Sequence, residues 1–387
     1  MRQQDGYLTE MEADFDEFLS IVNTPTDFSH YPHADRLIEG IVIFDAANMP
    51  RATNPEARRA VMAEIAHALR HGPGVVVFEG GFHDHAVIDR ASHFFAKVID
   101  DQNRSGQVVG DHFAKPGTND RIWNALEKFA LLDPDGFVDY YVNDVIAITS
   151  GAWLGPGYQV TSQINVVNPG GQAQVPHRDY HLGFQSSDMI EQYPSHVHEL
   201  SPLLTLQAGI AHVDMPLETG PTMFLPHSQK FLPGYLAWRR EDIREHFLAR
   251  KAQLPLAKGD VVFFNPAILH GAGTNATSDV KRMANLLQIS SAFGRAMETV
   301  NREAMTNAVY PSLVARQTQG MCADYVTNVL AVVADGYSFP TNLDRDPPIG
   351  GLAPLSQAQI AVQALDQGWS PKRLADELIS YANRRKS

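Results

Sequence analysis

Between Gln159 and Phe293 the chain alternates short apolar runs with turns: YQVTSQINVV, LLTLQAGIAHVDM, GPTMFLP, GDVVFFNPAILH and ANLLQISSAF. Runs of this length, punctuated by Gly220-Pro221 and Lys258-Gly259-Asp260, predict antiparallel strands of a β-sandwich or barrel. On either side the period lengthens. Over Asn54–Gly72, residues Ala57, Val61, Ile65 and Leu69 fall on one helical face, with Asn54 as cap, Pro55 in the first turn and Gly72 as the stop. Asp14–Val22, His85–Ile99 and Asp135–Ala147 also read as helices, and Val42–Phe44 and Gly74–Phe78 as strands. Gly106–Trp123, which holds Lys115 and Arg121, reads as a polar loop. A polar insert with His196 and His198 and a helix over Gly234–Ala252 interrupt the strand region. After Arg295 the pattern is helical, apart from the Pro/Gly-rich stretch Tyr337–Leu355, and ends in an amphipathic helix over Pro371–Arg385. Without an internal repeat or a linker, the pattern predicts one domain over residues 1–387. It would be mainly β with helical flanks: a β core at about 150–295, a helical N-terminal flank and a helical extension over 296–387.

Composition narrows the class. Of 387 residues, 44% are hydrophobic and 19% charged, the balance of an ordinary globular protein. A net charge of −13 without a basic stripe speaks against a nucleic-acid partner. The single cysteine, Cys322, excludes an intramolecular disulfide and a cysteine-built zinc site, and suits a reducing compartment. The acidic start, MRQQDGYLTEMEADFDEF, has no apolar segment of the secretory type, and no run of 18 apolar residues occurs. The expectation is a cytoplasmic protein with a small-molecule partner and neither a nucleic-acid nor a membrane partner.

The candidate chemistry lies in the histidines. The pattern His-x-Asp occurs as His33/Asp35, His177/Asp179 and His212/Asp214. The first precedes every core strand and reads as surface. The third closes the run LLTLQAGIA, where alternation puts both side chains on one side, but the turn Glu218–Pro221 follows at once. His177/Asp179 follows the turn Asn168–Gly171 and opens an extended segment, where side chains at i and i+2 face the same way. His270 stands just before Gly271-Ala272-Gly273, glycines that let the backbone pass close to a ligand. Two imidazoles and one carboxylate on one face of a metal leave three positions open, as in non-haem Fe(II) oxygenases. Arg282, in KRMANLLQIS, should lie on a strand neighbouring the one that carries His270, and its planar fork suits a carboxylate. On the residues alone, a metal pair at His212/Asp214, histidines that are only structural, and a rim salt bridge at Arg282 all stay open.

The segments VPHRDYH, ETGPTMFLPHSQK and GDVVFFNPAILHGAG, with the arginine that follows, resemble the phytanoyl-CoA dioxygenase family of Fe(II)/2-oxoglutarate-dependent oxygenases. The likeness runs over about Gly74–Phe293 in order and spacing, and GPTMFLPHS fits the family's GP-x-x-F-x-P-x-S. It implies a double-stranded β-helix (jelly-roll, cupin-like) core with His177, Asp179 and His270 as iron ligands. Arg282 would bind the far carboxylate of 2-oxoglutarate and Asn165 would contact this co-substrate. Lys115 loosely matches a lysine that reaches it in some members. Gln163 and Thr222 are further binding candidates, with Arg178, Tyr180, His181 and His227 around them. Gln207 stands near a position where the family often has an aromatic. Asp179 is the carboxylate that related halogenases replace with a small residue, so the implied reaction is hydroxylation with O2, releasing succinate and CO2. Desaturation, epoxidation and ring formation are variants of it. The acidic balance disfavours a polyanionic acyl-CoA and favours a small metabolite or natural-product intermediate. Two other classes remain: a cupin-type metal enzyme without 2-oxoglutarate, which needs no clamp at Arg282 and Asn165, and a non-catalytic β-sandwich.

Overall fold

The computed structural model describes residues 6–50, 54–105 and 118–386. The strands are β1 (Arg36–Ile38), β2 (Ile41–Asp45), β3 (Val75–Glu79), β4 (Asn119–Ile122), β5 (Gln159–Val167), β6 (Thr205–Ala211), β7 (Thr222–Leu225), β8 (Ala252–Gln253), β9 (Val261–Phe264), β10 (Leu269–Ala272) and β11 (Arg282–Ser290). Among the described residues they form an eight-stranded sheet, ordered β1-β2-β3-β9-β6-β11-β5-β4, and a three-stranded sheet, β10-β7-β8. All pairings are antiparallel except β2 with β3.

Both faces of the large sheet are buried, and strand alternation sorts them. Phe44, Val76, Phe78, Phe263, Ile210, Leu287 and Ile164 point to one side. There they share a core with helices Pro55–Arg70, His85–Arg104, Ala125–Leu132, Pro134–Tyr141 and Asp144–Leu154. Met305, Val309 and Leu313 of helix Arg302–Thr318, beyond the β region, join the same core. On the other side Ile43, Val75, Val77, Val262 and Phe264 pack against Phe224 and Ala252 of the small sheet. The outer face of the small sheet, with Met223, Leu225 and Leu269, is covered by Phe18, Phe231 and Phe247. The small sheet is therefore sandwiched between the large sheet and the N-terminal helix Phe15–Val22, which Asp14 caps through the amides of Asp16 and Glu17.

The predicted strands and helices are largely present, but the balance differs: helix outweighs strand, so "mainly β" holds only for the region that carries the two sheets. The long predicted helix over Gly234–Ala252 is two short ones, Gly234–Ala237 and Glu241–Arg250. The predicted polar loop contains β4, an edge strand whose order comes from pairing with β5 rather than from its own residues. Lys115 lies outside the described residues. The expectation that the strands of His270 and Arg282 are neighbours is also corrected. They belong to different sheets, because the chain crosses from one to the other between Ala272 and Arg282.

Phe263 is fully buried and meets Phe78 edge-on at 5.9 Å. Phe263→Ala is expected to lower unfolding free energy by about 3–5 kcal/mol in a denaturant titration, through lost transfer energy and the cavity left behind.

Candidate metal centre

The segment around His177 runs beside β10. His177 N–H donates to His270 O at 2.9 Å, and His270 N–H donates back to His177 O at 3.2 Å. Asp179 N–H continues the contact to Pro266 O at 3.0 Å. This antiparallel bridge sets the two imidazoles side by side, with ring centroids 4.6 Å apart. Alternation then puts Asp179 on the same side as His177. His177 Nε2 lies 3.6 Å from Asp179 Oδ1, and His270 Nε2 lies 3.4 Å from Asp179 Oδ2. One ligand atom from each of the three residues falls within 4.8 Å of the others. Among the described residues this is the one His/Cys/Asp/Glu group able to hold a metal ion.

The imidazoles are oriented from behind. His177 Nδ1 contacts Val175 O at 2.8 Å and His270 Nδ1 contacts Ile268 O at 3.0 Å. A carbonyl can only accept, so each Nδ1 carries the proton and each Nε2 turns its lone pair inward. Gln207 Nε2 donates to Asp179 Oδ2 at 2.6 Å. Burial alone would raise the Asp179 carboxyl, but without a metal His177 and His270 in their protonated forms, together with the Gln207 amide, outweigh it and hold the group well below the usual carboxylate range. Two neutral nitrogens and one carboxylate suit a divalent first-row transition metal.

Between His177 and Asp179 in the chain sits Arg178, pointing the opposite way. It is buried, donates from Nη2 to Ser228 O at 2.5 Å and Phe231 O at 2.9 Å, and lies 5.2 Å from the Tyr235 ring centre. A Cβ on Gly234 would fall 1.9 Å from the guanidinium carbon, so only glycine admits this cation. Arg178 thus pins the backbone from outside while its two neighbours face the metal position.

Asn165, Thr222 and Arg282 line one cavity with His177, Asp179 and His270. Arg282 is buried and donates from Nη1 to Thr219 O at 3.0 Å. Burial pushes it down to about 10, so it stays a cation at neutral pH, and among the described residues no carboxylate pairs with it. Gln163 takes the next inward position of β5 but lies beside Glu298 rather than lining this cavity. His181 contacts Ser201 Oγ and His227 contacts Thr26 Oγ1, so both serve local packing. His33 pairs with Glu64, away from the centre. His212, the rival ligand, sits between Ser92 Oγ at 2.8 Å and Tyr140 OH at 2.9 Å on the helix side of the large sheet. Sequence reasoning left Gln207 and Arg121 without a role, yet both line the cavity. The available signal was the run of small inward residues Gly209, Ala211 and Ala284, which opens space on that face.

A family model described as phytanoyl-CoA dioxygenase matches residues 70–284. No curated protein matches the chain. Among solved structures, the non-haem alpha-ketoglutarate-dependent epimerase SnoN from nogalamycin biosynthesis is 17% identical, over 60% of this chain and 84% of that one, with a TM-score of 0.37. The carbocyclase SnoK from the same biosynthesis is 21% identical, over 59% and 83%, with a TM-score of 0.39. AviO1 from Streptomyces viridochromogenes Tue57 is 18% identical, over 60% and 96%, with a TM-score of 0.42.

Burial pushes the His212 imidazole down to about 3 in the folded chain, against an ordinary value near 6.5. The unfolded chain therefore binds this proton first, so the contribution to stability is complete above pH 6.5 and is lost as pH falls toward 3. Unfolding free energy measured by denaturant should drop more steeply across that window in the parent chain than in His212→Gln.

Proposed function

The chain belongs to the phytanoyl-CoA dioxygenase family of Fe(II)/2-oxoglutarate-dependent oxygenases, and from that starting point we propose that it hydroxylates a small molecule at the centre formed by His177, Asp179 and His270. The paired sheets are consistent with a double-stranded β-helix core around that centre. His177 and His270 would each offer a neutral Nε2 to iron and Asp179 a carboxylate oxygen. When bound, iron and 2-oxoglutarate supply with O2 an oxidant that takes a hydrogen atom from substrate, with release of succinate and CO2. The chain's own part is to bind, orient and shield these groups. Gln207 fixes the Asp179 carboxylate, and the carbonyls of Val175 and Ile268 fix the imidazoles. Arg282 would grip the far carboxylate of 2-oxoglutarate, with Asn165 and Thr222 beside it.

One observation carries this reading. Arg282 is a buried cation without a carboxylate partner among the described residues, and it lines the same cavity as the three ligands. Burying such a charge is costly unless it is paired, and a dicarboxylate that bridges metal and arginine supplies the pair. A cupin-type enzyme without 2-oxoglutarate would leave Arg282 unexplained. The ligand cavity lies between the sheets, which fits a small-molecule substrate.

Anaerobic addition of Fe(II) and 2-oxoglutarate should produce a visible metal-to-ligand charge-transfer band that needs both, and Asp179→Ala should abolish it. Arg282→Ala should raise the 2-oxoglutarate concentration at half-saturation by roughly 30-fold or more, the cost of removing one partner of a buried charge pair. Iron binding without the band, or an unchanged 2-oxoglutarate requirement in Arg282→Ala, would rule the assignment out.

A further inference from the structure

Near Asp179, four buried polar side chains carry atoms without a hydrogen-bond partner among the described residues: Gln207 and Gln288 in the cavity lining, Tyr180 and Glu298 outside it. Gln207 and Gln288 are direct cross-strand partners on β6 and β11, and both line the cavity. Gln207 gives its amide N–H to Asp179, while its Oε1 makes no hydrogen bond among the described residues; nor does Gln288 Oε1. Tyr180, 2% exposed, buries a hydroxyl that is likewise unpartnered. Glu298 stands close to Tyr180 and Gln163. Its Oε1 accepts from Asn124 N–H at 2.8 Å, while Oε2 is buried and unpartnered. Folded chains rarely leave buried polar atoms unsatisfied, and the two that belong to the cavity lining, Gln207 Oε1 and Gln288 Oε1, point to a ligand that completes them, with Tyr180 close to both Asp179 and Glu298.

We propose that Tyr180, Gln207, Gln288 and Glu298 form the substrate-recognition wall of the site, and that it takes an uncharged substrate carrying several neighbouring hydroxyl groups. The assignment rests on the iron and 2-oxoglutarate reading above. Three of the four open atoms are acceptors, so the ligand must bring donors. A carboxylate would bring only acceptors to them, and a hydrocarbon would leave all four unsatisfied. An ammonium brings donors but no acceptor, and would leave the Tyr180 O–H without one. Hydroxyl groups satisfy the acceptors without adding charge, and can accept or donate toward Tyr180. Glu298 also lines a surface groove with Phe293, Tyr337 and Tyr381, outside the cavity lining. Glu298, Tyr337 and Tyr381 lie beyond residue 284, so the part of the chain outside the family match would help choose the substrate.

The test uses the full chain, loaded anaerobically with Fe(II) and 2-oxoglutarate. Four classes of compound of matched size are offered: polyols with methyl glycosides, amines, carboxylates and hydrocarbons. Retention is read by equilibrium dialysis, and proximity to the metal by a shift of the charge-transfer band. Retained compounds that shift the band should come from the polyol and glycoside class. Gln288→Met and Glu298→Gln should each weaken that retention by about tenfold, the worth of one good hydrogen bond. The band itself reports whether each variant is folded and loaded. Its failure to form in the parent chain overturns the cofactor reading, and this proposal with it. A normal band overturns the hydroxyl assignment alone if retention is confined to the other classes, absent from all four, or unchanged in both variants.

Discussion

Two reciprocal backbone hydrogen bonds, between His177 and His270, hold the centre together. They join an irregular segment to a strand far along the chain, and they fix both imidazoles in one step. Side-chain contacts alone could not do this, because each histidine would keep its freedom of rotation. Once the backbones are paired, the carbonyls of Val175 and Ile268 lock each ring and alternation brings Asp179 to the same side. The triad is thus a property of sheet geometry, and the sheets around it exist to keep that geometry dry.

The opposite side of the same segment is equally determined. Arg178 faces away, buries its charge against two carbonyls and the Tyr235 ring, and depends on the missing side chain of Gly234. Two carbonyls at one Nη2 replace part of the water that the guanidinium gives up, and its Nε stays buried without a partner among the described residues. A pinned backbone between His177 and Asp179 allows less drift of either, which a metal position built from them would need.

Much of the centre was legible in the chain itself. His177 and Asp179 share a face by spacing, and His270 is followed by glycines that admit close approach. His212 passes the same spacing rule with Asp214, but it has the parity of Leu206 and Ile210 and so faces the helices. What remained hidden was long-range. An amide on a strand, such as Gln207, has no local mark that shows which carboxylate it will meet. The β4 strand takes its order from β5, not from its own polar residues. The sheet change between His270 and Arg282 leaves no trace in the hydrophobic period, since period marks a strand but not the sheet it joins. The weight of helix in the chain is visible in the pattern, but the conspicuous central strands drew the class toward β.

The strand β11 begins with Arg282 and carries Gln288 near its other end, both turned to the cavity. At roughly 3.3 Å per residue, the two backbone positions are about 20 Å apart. With the roles proposed above for Arg282 and Gln288, the strand would act as a ruler, graduated at one end for the co-substrate and at the other for what is to be oxidised. Its graduations cannot be shifted singly: a slip of one residue against β5 and β6 would turn both side chains into the helical core. Length changes in the loop between Ala272 and Arg282 are therefore tolerable only while that register survives. Variation of substrate within such a frame must come from exchanging side chains along the ruler rather than from moving it.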